Sequence, residues 1–107
     1  MAYGLGATTP QRFAAIAPQY GSFHRGFLDS PNPLFGVPMM DVHGSNDLTV
    51  PANLTSFNMG DDVSYPLSAD GWYYTQIQEI TSAWADANDC SGDAIHYPTS
   101  LDGVNDL

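Results

Sequence analysis

The chain has 107 residues, the size of one small domain, and carries 12 acidic residues against 2 basic ones, for a net charge of −10. That balance repels phosphate backbones and anionic bilayers, so nucleic-acid and membrane-surface binding are excluded as functions. With 43% hydrophobic residues and 5 Phe, 6 Tyr and 2 Trp, there is too much apolar material for a disordered acidic tail.

In chain order, residues 1–9 place small and apolar side chains on every face and stop at Pro10, as expected of the buried tail of a helix. Phe13-Ala14-Ala15-Ile16-Ala17 is an unbroken apolar run closed by Pro18, which predicts a central parallel strand over 13–17, buried on both faces. Residues 18–36 are rich in Gly and Pro and predict an irregular loop. A second strand is expected at 38–43, ending at Gly44. Pro51 then suits the first turn of a short helix over 51–57. Tyr73, Ile77, Ile80 and Trp84 recur at spacings of four, three and four, predicting a helix over 73–88 with Asp70 as its cap. Ile95-His96-Tyr97 suggests a third strand. Short apolar runs alternating with polar loops imply an α/β unit, with strands from a mostly parallel sheet and helices flanking it. No apolar run approaches the ~20 residues of a membrane span, and Met1 is not followed by a basic stretch and an apolar segment of the signal-peptide kind.

The stretch His43-Gly44-Ser45-Asn46-Asp47-Leu48-Thr49-Val50-Pro51 places an acid on the turn beyond a strand's carboxyl end, where open α/β sheets mount catalytic groups. Asp47 in that place suits the acid that orients a histidine during nucleophilic catalysis, and equally an Asx-turn holding backbone N–H groups. His43 fits a packed histidine bonding a turn better than a proton carrier. His24, His43 and His96 have no paired spacing for a transition metal, and Asp61, Asp62, Asp86, Asp89 and Asp93 form no calcium-loop pattern, so no metal or cofactor is expected. Trp72, Tyr73 and Tyr74 suit either the wall of an aromatic or acyl pocket or a helix stripe with exposed neighbours. Asn53-Leu54-Thr55 is an N-glycosylation acceptor sequence, and together with the absence of lysine it leans toward an extracellular protein.

Three segments carry a resemblance, in matching order and spacing: Arg12-Phe13-Ala14-Ala15-Ile16-Ala17-Pro18, the His43-Gly44-x-x-Asp47-x-x-Val50-Pro51 turn, and Trp84-Ala85-x-x-Asn88-x-Cys90. Together they resemble the secreted α/β-hydrolase esterases of the polyhydroxybutyrate-depolymerase and feruloyl-esterase type, over roughly residues 1–92. The resemblance implies a partial α/β-hydrolase domain over 1–107. The implied function is a serine carboxylic ester hydrolase acting on polysaccharide-linked phenolic esters or polyesters, in which Asp47 is the triad acid. It also implies a disulfide from Cys90 to a cysteine further on, and no second cysteine occurs. No Gly-x-Ser-x-Gly elbow occurs in these residues, and Ser22 in Tyr20-Gly21-Ser22-Phe23-His24 lies outside any such context. The family's Gly-rich histidine segment has no counterpart around His96. The serine and histidine are therefore expected outside the chain, which by itself is expected to be inactive. The competing reading is a non-catalytic, acidic interaction or carbohydrate-associated module derived from a hydrolase.

Overall fold

A computed structural model describes residues 2–28 and 36–95. Two α-helices and one short 3₁₀ turn make up its regular structure: α1 (Ala2–Thr8), the turn Pro10–Arg12, and α2 (Ile77–Ala87). The expected α/β fold is corrected at this point, because among the described residues there is no strand and no sheet. Residues 13–20 and 37–42 do run side by side in parallel, but they meet only at two isolated bridges, Ile16 with Met39 and Gln19 with Val42.

The interruption has a covalent cause. Ile16 N–H donates to Pro38 O (2.9 Å), and Met40 N–H donates back to Ile16 O (3.0 Å). The next donor in that register is residue 18, a proline with no N–H to give. Pairing resumes one step further, where Val42 N–H donates to Pro18 O (3.1 Å) and Tyr20 N–H to Val42 O (2.9 Å). The two bridges share one register and are separated by the missing bond. The faces are equally unlike a central strand's: Phe13, Ala14, Ala15 and Ala17 are exposed and only Ile16 is buried. Ile16, Val37 and Met39 pack against the helices, while Met40 and Val42 stay exposed.

The helix expected over 73–88 begins at Ile77, with Gln76 rather than Asp70 as its N-cap. Residues 73–75 are taken by pairing across the chain: Arg25 N–H donates to Tyr73 O, Tyr74 N–H to Pro66 O and Thr75 N–H to Phe23 O. Antiparallel bridges join His24 to Tyr74 and Leu67 to Tyr73. Asp70 instead caps a tight turn at Gly71 (φ +86°), accepting the Trp72 N–H at 3.1 Å. At its other end α2 closes in a Schellman motif, with Asp89 N–H on Asp86 O, Cys90 N–H on Ala85 O, and Asp89 itself left-handed (φ 57°). No helix forms over 51–57. Asn58 holds that segment as a side-chain turn, its Oδ1 accepting the Thr55 N–H (2.7 Å) while its Nδ2 donates to Asn53 O (2.9 Å). Of the expected third strand, Ile95 is exposed and in no strand among the described residues, and His96 and Tyr97 lie outside them.

The core gathers Tyr3 and Ala7 of α1, Ile80 and Trp84 of α2, Ile16 and Val37 from the ribbon and Phe23 from the segment after residue 20, with Leu28, Met39 and Ile77 packed against it. Trp84 anchors it: the indole is 1% exposed, meets the Tyr3 ring edge-on, and donates Nε1–H to Val37 O at 2.8 Å. Tyr3 donates its hydroxyl to Asp41 Oδ1 (2.5 Å), and burial, reinforced by that bond and by the Asp41 charge, pushes its pKa up. No described helix is long and apolar enough to cross a membrane.

Candidate active site around Asp47

The segment 43–52 leaves the ribbon at Val42 and is tied down on both flanks. Ala69 N–H donates to Leu48 O, and the first amide of α2, Ile77 N–H, donates to Ala52 O, both at 2.9 Å. Pro51 is fully buried between these ties. Gly44 starts the turn, accepting the Asp47 N–H on its carbonyl at 3.2 Å.

Asp47 forms an Asx-turn. Its Oδ1 accepts the Thr49 N–H at 2.8 Å and the Val50 N–H at 3.0 Å. These two bonds, Val50's first, hold the carboxyl below the usual carboxylate range; desolvation opposes them weakly and the neighbouring His43 adds to the lowering. His43 Nε2 lies 2.6 Å from Val50 O. A carbonyl only accepts, so Nε2 carries the proton and the ring is held as a turn-bonding histidine, as its sequence position implied. Its Nδ1 is buried with no hydrogen-bond partner among the described residues. The Tyr20 ring packs 6.4 Å away, centroid to centroid, on a residue in the left-handed region (φ 52°).

Asp47 opens onto a cleft of about 350 Å³ that Leu48, Ala52 and Phe57 line together with Asn46, Asn53 and Asn58. Phe57 is 93% exposed. Leu48 and Phe57 were not singled out in the sequence, although apolar residues inside an otherwise polar loop were a usable signal. Trp72, Tyr73 and Tyr74 do not line this cleft. Tyr73 accepts the Asp61 N–H on its hydroxyl (2.9 Å) and carries Arg25 over its ring at 4.5 Å, while Arg25 pairs with Asp62 at 3.1 Å. Tyr74 is buried beneath a stacked His24, and Trp72 packs edge-on against His24.

Among the described residues, the other side chains weighed in the sequence do not join Asp47. Ser22 donates its hydroxyl to Thr75 O at 2.5 Å, a structural tie between the ribbon and the approach to α2. His24 belongs to the aromatic group around Tyr74. Cys90 is exposed and free, and His96 lies outside the described residues. Among the described residues no three His, Cys, Asp or Glu side chains converge as a metal site. The chain matches no protein-family model, no curated protein and no solved structure.

Proposed function

We propose that this chain supplies the acid of a serine carboxylic ester hydrolase, with Asp47 orienting a histidine whose partner serine attacks the ester carbonyl. One observation carries the reading. Both backbone N–H groups of the Asx-turn fall on Oδ1, so among the described residues Oδ2 accepts nothing and remains for an imidazole N–H. A carboxylate kept ionised and fixed in direction is what a triad acid requires, since it must hold one tautomer of the histidine and stabilise the imidazolium that forms. The apolar side chains of Leu48 and Phe57 beside it suit the acyl or aromatic part of an uncharged ester, and the net charge of −10 disfavours anionic substrates. Serine and histidine come from outside these residues in this proposal, because Ser22 is committed to Thr75 O and no nucleophile elbow occurs.

The test uses the product of the complete reading frame that encodes these residues, assayed on p-nitrophenyl butyrate and methyl ferulate. Asp47→Asn is expected to lower kcat by about 10⁴-fold with the fold retained, because the histidine then takes the wrong tautomer. An unchanged kcat overturns the reading. The 107-residue chain alone is expected to show no turnover above buffer, and a rate abolished by Ser22→Ala would move the nucleophile onto Ser22.

A second reading draws on a separate observation. The interrupted ribbon leaves the Asp47 turn without a sheet beneath it among the described residues, which favours a non-catalytic acidic module. No esterase activity at all from the complete product selects that alternative.

A further inference from the structure

The residues between His43 and Pro51 hold a closed circuit centred on one residue, Val50. Val50 is bonded on both sides by side chains from the same turn: its N–H goes to Asp47 Oδ1 at 3.0 Å, and its C=O receives His43 Nε2–H at 2.6 Å. We infer that His43 is the positioning residue of Asp47, acting through the Val50 backbone to hold the carboxylate with Oδ1 inward and Oδ2 outward. Where this bears on catalysis it rests on the reading of Asp47 as a triad acid; the positioning itself does not.

Three observations lead there. His43 follows Val42, which the ribbon fixes on both sides through Pro18 O and Tyr20 N–H, so the imidazole is mounted on the best-anchored part of the segment. Thr49 and Val50 are the two donors to Asp47, and Val50 is the one whose orientation a second side chain controls. The N–H and C=O of Val50 lie on the two peptide planes that meet at its Cα, and Pro51 narrows the φ and ψ open to the residue before it, so fixing the Val50 carbonyl also restrains the direction in which the Val50 N–H presents itself to Oδ1. The imidazole spends its Nε2–H on this bond. With Nδ1 buried and unpartnered among the described residues, the ring is not placed to shuttle a proton. The spacing His-Gly-x-x-Asp-x-x-Val thereby has a physical reading: the glycine turns the chain, and the histidine and the acid then bond the two peptide groups that flank the same valine.

The experiment is solution NMR on the 107-residue chain. Ring ¹⁵N shifts of wild-type His43 are expected to show a protonated Nε2 and an unprotonated Nδ1; the opposite tautomer overturns the inference without any variant being made. In His43→Ala the Asp47 side-chain carboxyl should titrate higher, toward the ordinary value of about 3.9, and the Thr49 and Val50 amides should exchange about three- to tenfold faster. His43→Gln, whose Nε2 reaches a similar place, should restore the amide protection and the part of the Asp47 shift that the Val50 bond carries, though not the part due to the imidazole charge. A general loosening of structure would not be rescued by glutamine and would accelerate exchange in α2 as well. An Asp47 titration unmoved in His43→Ala, or moved equally in His43→Gln, overturns the inference. Asp47→Asn turnover in the complete product fails or succeeds independently, so loss of the esterase reading leaves this result standing.

Discussion

Helix α1 contains two glycines with opposite surroundings, and the same substitution at each isolates packing from helix propensity. Glycine inside a helix costs about 1 kcal/mol relative to alanine, because the unfolded chain has more freedom to lose. At Gly4 an added Cβ meets nothing within 4 Å, so Gly4→Ala is expected to stabilise the protein by about 0.5–1 kcal/mol. At Gly6 the same atom lies 2.7 Å from Ile16 Cδ1 and 3.1 and 3.3 Å from Trp84 Cζ2 and Cη2. The Ile16 methyl can rotate aside, but the indole is held by its bond to Val37 O and has nowhere to move in a filled core. Overpacking of this kind costs about 1–3 kcal/mol, which exceeds the propensity gain and leaves Gly6→Ala net destabilising by about 1–2 kcal/mol. Urea unfolding followed by tryptophan fluorescence reads both variants. With a slope of about 1 kcal/mol per molar, the midpoint should rise by about 0.5–1 M for Gly4→Ala and fall by about 1–2 M for Gly6→Ala. Equal upward shifts would refute the close approach of α1 to Trp84.

Further outcomes follow from particular contacts. Asp89→Gly relieves a non-glycine residue in the left-handed position of the Schellman motif and should raise stability by about 0.5–1 kcal/mol in the same urea assay. Trp84→Phe removes the donor to Val37 O and part of the buried ring, and should cost about 2–3 kcal/mol. Acrylamide should quench the tryptophans as two populations, with Trp72 accessible at 60% exposure and Trp84 protected, so that Trp72→Phe leaves only the protected component. Because the folded-state pKa of Asp47 is lowered, its carboxylate contributes stability in full above the ordinary carboxyl value of about 3.9, and that contribution fades as pH falls through the lowered value. The stability difference between wild type and Asp47→Ala should therefore stay level from pH 7 to about 4 and shrink below it, as measured by urea midpoints across pH.

Local patterns in the sequence carried α1, the body of α2 and the turn, though not the helix expected over 51–57. The apolar stripe Ile77, Ile80 and Trp84 is the buried face of α2, and the small-residue run before Pro10 is α1, because side chains at helical spacing meet whatever core exists. The Asx-turn at Asp47 and the turn-bonding role of His43 were also legible, since both depend on residues no more than seven positions apart. Tertiary structure alone decided the rest. Tyr73 has helical spacing from Ile77, yet its backbone pairs with Arg25 and Leu67, partners that no local period announces. The 13–17 and 38–43 runs have strand composition and come together in parallel register, but a sheet needs an unbroken line of donors and a cover on each face. Pro18 removes one donor, and Ala14, Ala15, Met40 and Val42 stay exposed. Which backbone amides find partners across long sequence distances is set by how the whole chain closes up. Composition shows that an apolar run must be buried somewhere, and only the folded arrangement shows whether anything lies against it.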